Sequence, residues 1–66
     1  MMEYTNSQID RLINEHIHSE RNRKILKDRY INGLTYEALS EKHDLSVKQI
    51  RNIIYKSEAV LFKHLK

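Results

Sequence analysis

Apolar residues recur at helical spacing in four separate stretches of the chain. In the first, Ile9, Leu12, Ile13, His16 and Ile17 recur at spacings of three and four residues. That spacing puts one stripe on a helix running to about His18 and assigns the stripe to the core. Thr5 and Gln8 have the form of a capping box, and Tyr4 and Ile9 stand where a hydrophobic staple would close around it. A second stretch turns Ile25, Leu26 and Tyr30 inward, with Arg21, Arg23, Lys24, Lys27 and Arg29 spread around the rest. Ser19 can cap it and Glu20 suits the positive end of its dipole. No complete box marks that boundary, so the first two helices are either separate or continuous. Gly33 is placed to end the second, because glycine enters the left-handed C-cap conformation without steric cost.

Leu34, Thr35 and Leu39 repeat the staple and cap ahead of a short helix that ends near His43. Asp44 occupies the break that follows, where a left-handed residue is expected and Asp is tolerated better than most. Leu45, Ser46, Gln49 and Ile50 form another staple and box, so the final helix begins at Ser46 and meets no stop signal before Lys66. With residues turned by about 100° each, Val47, Ile50, Ile53, Ile54, Ser57, Leu61 and Leu65 share one arc, which faces the core. The predicted architecture is all-α: a single small four-helix domain over residues 1–66, with Thr35 to Tyr55 as a helix-turn-helix whose second helix is extended. One glycine and no proline leave no room for a flexible linker.

Away from the core arc, Lys48, Gln49, Arg51, Asn52, Tyr55 and Lys56 offer donors of the kind that reach base edges and phosphates. They cluster in the first turns of the helix, the part with which helix-turn-helix proteins read a major groove. Arg51 and Gln49 lead as base-edge readers, since a bidentate Arg–guanine or Gln–adenine pair discriminates by about 1–3 kcal/mol. Lys48 and Asn52 stand beside them. Ser46, Tyr55 and Lys56, with Arg21, Arg23 and Lys24, suit phosphates, which supply affinity and salt dependence. The competing reading is a set of solvated charges on a helical bundle; the agreement of staples, break and basic outer face favours double-stranded DNA. Further along, Ala59 and Phe62 continue an apolar track on the outer side. Either the N-terminal helix folds back over it or two chains meet there in a symmetric homodimer.

Composition narrows the classes that remain. Sixty-six residues build one modest core and no deep enzyme cleft, and without cysteine neither disulfides nor thiolate metal sites contribute. Twelve Lys and Arg against nine acids give a net charge of +3, concentrated in residues 19–33 and 46–66. No apolar run approaches the roughly 18 residues of a membrane span and no signal-peptide layout is present, so a soluble, cytoplasmic protein is expected. His16 and His18 diverge on a helix, while His43 and His64 lack carboxylates or thiolates at ligand spacing. No metal or cofactor is therefore expected, and His16 and His43 are assigned to packing. Nothing arranges a nucleophile, base and orienter, so no enzyme is expected.

The run ILKDRYINGLTYEALSEKHDLSVKQIRNIIYKSEAVL resembles region four of bacterial sigma factors, with its RY, GLT, LS and IR pieces at that family's spacing. The similarity extends from about Glu20 to Leu61. LuxR-type domains, more distantly similar, share the GLT-like lead-in and the LS turn. Asp28, Ser40, His43 and Asp44 depart from the family pattern, standing where it has an apolar residue, Ala, an apolar residue and Gly. The resemblance implies a recognition helix from Ser46 to about Lys56, with Arg51, Gln49, Lys48 and Asn52 on DNA, and RNA polymerase as a partner. It further implies a free-standing transcription regulator, of the kind phages and mobile elements encode, rather than a complete sigma factor. LuxR-type domains pair through their last helix, as the Ala59–Phe62 track would require. A protein-binding adaptor of the YlxM type, or a polymerase-binding inhibitor, is the competing function for the same fold.

Overall fold

A computed structural model describes residues 5–63, which form four helices: α1 (Asn6–His16), α2 (Glu20–Tyr30), α3 (Tyr36–His43) and α4 (Val47–Lys63). Tyr4, His64 and Leu65, named above for the staple, the histidine set and the core arc, lie outside the described residues. The local punctuation forms as expected. In the box of α1, the Gln8 amide donates to Thr5 Oγ1 at 3.2 Å and the Thr5 amide to Gln8 Oε1 at 2.8 Å. The box of α4 matches it, with the Ser46 amide on Gln49 Oε1 at 2.9 Å and the Gln49 amide on Ser46 Oγ at 3.1 Å.

The first two helices are separate. Ile17 is extended (φ −109°), and Ser19 caps α2 by accepting the Asn22 amide at 3.3 Å. Arg23 fastens this connection by donating to the carbonyls of Ile17 and His18 at 2.6 and 3.1 Å. Gly33 is left-handed (φ +71°) as expected, but α2 already closes at Tyr30, so the glycine lies in the connection rather than directly behind the helix. Arg29 spans that connection, donating to the Leu34 carbonyl at 2.9 Å and stacking 4.7 Å above the Tyr36 ring.

The core draws on every helix. Ile13, Ile17, Ile25, Leu26, Leu39, Ile50, Ile54 and Leu61 are buried together, and α4 packs against each of the other three. Each such side chain contributes on the order of 1.5–3 kcal/mol of burial, which is how a chain without disulfides holds. On α4 the predicted arc is confirmed for Ile50, Ile54, Ser57 and Leu61, with Val47 and Ile53 half-buried on its edges.

One expectation is overturned. α1 does not fold over Ala59 and Phe62: its only apolar stripe is spent on the core against α2 and α4, leaving Phe62 58% exposed and Ala59 exposed. The partners of Asp28, which stands at an apolar position of the pattern, were not foreseen. Asp28 is only 6% exposed, and it accepts from Lys42 Nζ at 2.9 Å, from Asn32 Nδ2 at 2.9 Å and from His43 Nε2 at 3.0 Å. Burial pushes its pKa up, but the hydrogen bonds from Lys42, Asn32 and His43 together hold it below the ordinary carboxylate value.

Candidate nucleic-acid interface

The start of α4 is held from two sides. Across the turn, Asp44 takes the left-handed conformation (φ 55°, ψ 47°), the Leu45 amide donates to the Ser40 carbonyl at 3.1 Å, and the Ser40 hydroxyl donates to the Leu45 carbonyl. The Ser46–Gln49 box then closes the first turn of α4. A helix end fixed in this way presents its outer side chains at set positions, which groove reading requires.

Lys48, Asn52 and Tyr55 form the crest of that outer face, all exposed, Tyr55 at 68%. The crest is unencumbered: among the described residues Lys48 and Asn52 make no side-chain bond to the rest of the chain. Gln49 is differently placed, because its Oε1 is committed to the cap and only its amide nitrogen is left to donate outward.

Arg51 lies on one flank, in a groove of about 290 Å³ between α3 and α4 that it lines with Tyr36, Ile54, Tyr55 and Glu58. The Glu58 carboxylate does not oppose DNA freely, since the Tyr30 hydroxyl donates to it and ties α2 to α4. Burial first, and then Glu58, push the Tyr30 phenol well above its ordinary pKa, so it remains a donor at any physiological pH. Lys56 lies on the opposite flank, beside the α1–α2 connection.

The basic group on α2 divides. Arg23 is a strut, half-buried on two carbonyls, and is not spare for a phosphate. Arg21 and Lys24 are exposed, Arg21 against its neighbour Asn22 at 3.4 Å and Lys24 3.9 Å from Glu20. Tyr36 was missed by the sequence reading; the available signal was an aromatic directly after the Thr35 cap, at the end of α3 that faces Arg51.

Residues 19–59, well over half of the chain, match the family described as Sigma-70, region 4. The chain belongs to this family. The matched stretch starts at the Ser19 cap and runs through α2, α3, the turn and most of α4. Region 4 domains are DNA-binding helix-turn-helix domains, which agrees with the crest on α4. No curated protein and no solved structure matches the chain significantly. Within this region 4 domain three of the four departures from the family pattern acquire partners, and the fourth a backbone conformation. Asp28 and His43 meet each other across α2 and α3, Ser40 closes the turn, and Asp44 adopts the left-handed geometry that a glycine would otherwise supply.

Proposed function

We propose that the protein is a transcription regulator that binds double-stranded DNA sequence-specifically through α4. The observation that carries this reading is the exposed crest of Lys48 and Asn52, without side-chain partners among the described residues, on a helix start clamped by the turn and the cap. Base reading falls first on Lys48 and Asn52, with Arg51 and the free amide of Gln49 beside them. Tyr55, Lys56, Arg21 and Lys24 take phosphates. Selection of bound sequences from a random duplex pool tests the proposal: one motif is expected to enrich. Asn52→Ala should relax one position of that motif at a cost of about 1–3 kcal/mol, whereas Arg21→Ala should weaken all sequences alike. A pool that enriches nothing overturns sequence-specific reading and favours the adaptor.

Contact with RNA polymerase belongs to the same reading and rests on family membership; capture of purified polymerase core by the immobilised protein is its test, and absence of capture ends it. The uncovered Ala59–Phe62 track supports a homodimer with two reading heads on a palindromic site.

A further inference from the structure

Arg51, Tyr55 and Glu58 follow one another along α4 at spacings of four and three residues, which brings them onto one side of the helix. With Tyr36 and Ile54 they line the groove between α3 and α4. That groove therefore holds a cation which base reading needs free and, two turns further on, a carboxylate able to occupy it. Side chains on a helix lean toward its N-terminus, so a glutamate at position 58 held by nothing else leans along the groove toward Arg51.

The two do not meet. Arg51 is exposed and makes no ion pair, hydrogen bond or ring contact among the described residues. The carboxylate of Glu58, a half-buried residue, instead accepts the hydroxyl of Tyr30, the last residue of α2. Tyr30 is partly buried and packed against the core, which fixes where its hydroxyl points. The arginine behind Tyr36 is already occupied, since Arg29 donates to the Leu34 carbonyl and stacks on the Tyr36 ring. Arg51 is thus the open cation in reach of a released Glu58.

Building on the DNA reading proposed above, we infer that Tyr30 is a positioning residue for base recognition: by holding Glu58 it keeps that carboxylate off Arg51 and leaves the guanidinium fork free for a guanine edge. Tyr30 touches no base itself and acts through Glu58. Without the phenol, Arg51 must give up an ion pair before each bidentate contact with guanine, whereas opposite any other base it stays paired. What is lost is discrimination at one base position, while affinity for DNA in general is kept.

The test uses the full chain on duplexes carrying the selected motif. Arg51→Ala first identifies the position that Arg51 reads, as the one where preference for guanine disappears. There the ratio of affinities for guanine and for the next-best base should fall about threefold in Tyr30→Phe, the worth of a partly exposed arginine–carboxylate pair. A ratio taken on one preparation is insensitive to loss of folded protein. Tyr30→Phe with Glu58→Gln should restore the wild-type ratio, because the glutamine carries no charge, and Glu58→Gln alone should match wild type. A purely structural tie between α2 and α4 predicts the reverse, since the double variant lacks the tie as fully as Tyr30→Phe does. In the free protein the Arg51 Nε–H resonance should shift in Tyr30→Phe and return in the double variant, with that of Arg29 unmoved. An unchanged ratio in Tyr30→Phe, no recovery in the double variant, a shift at Arg29 in place of Arg51, or an Arg51→Ala variant that keeps every base preference overturns the inference and leaves DNA reading intact. Wild type that enriches no motif overturns both.

Discussion

Asp28 points inward from α2 beside Ile25 and Leu26, and its charge is sustained there by three donors, two of them from the end of α3. Removing the carboxylate alone strips His43, itself nearly buried, of its acceptor. Asp28→Leu should therefore destabilise the domain by about 3 kcal/mol, whereas Asp28→Leu with His43→Leu should recover most of that loss, as denaturant midpoints will report. A double variant no more stable than the single one would show that the two positions do not compensate. The pH dependence follows in sign. A carboxylate held below its ordinary value of 3.8 contributes stability that is fully present above that value and is lost as pH falls through the lower folded value. Wild type minus Asp28→Asn should thus be constant in stability above pH 3.8 with respect to this group, and should shrink below it. This pair was half-legible in the sequence. Asp28 stands three residues after Ile25 and so on the inward face by spacing, but its partner is fifteen residues away, and only tertiary packing brings the two together.

At the scale of the helix and its ends, the chain was most readable, because caps are made by residues within three positions of each other. Thr5 with Gln8, Thr35 and Ser46 with Gln49 all cap where their spacing placed them. Helix stops were less readable, since they depend on how the following chain is drawn into the fold. α2 closes at Tyr30, and the amides of Asn32 and Leu34, with Arg29 on the Leu34 carbonyl, fold the connection back on itself around Gly33. The two left-handed residues give opposite predictions. A Cβ on Gly33 would meet no atom within 4 Å, so Gly33→Ala should cost only the backbone term, about 1 kcal/mol in thermal or chemical unfolding. Asp44→Gly relieves the same term at the turn and should stabilise by up to about 1 kcal/mol, with DNA affinity unchanged. A loss of stability in Asp44→Gly would mean that the Asp side chain holds the turn in some way beyond its backbone angles.

For the whole molecule, the open matter is the apolar track that the fold leaves uncovered. α1 was free by sequence to lie over Ala59 and Phe62; its single stripe could satisfy only one surface, and the core between α2 and α4 offered the larger burial. Phe62 consequently faces solvent one helical turn beyond Ala59, with Lys56 and Lys63 exposed on the same outer side. A symmetric pairing through this track buries Phe62 twice and brings like charges together, so self-association should strengthen as salt screens them. Phosphate binding by the same chain should weaken with salt. Sedimentation across a concentration and salt series separates the two: wild type should shift toward dimer at higher concentration and higher salt, and Phe62→Asp should stay monomeric throughout. On a palindromic duplex Phe62→Asp should lose affinity, while on a single half-site it should match wild type, because its crest of Lys48 and Asn52 is untouched. Wild type that stays monomeric across the series removes the dimer, and a half-site affinity lost in Phe62→Asp would place Phe62 in DNA binding itself.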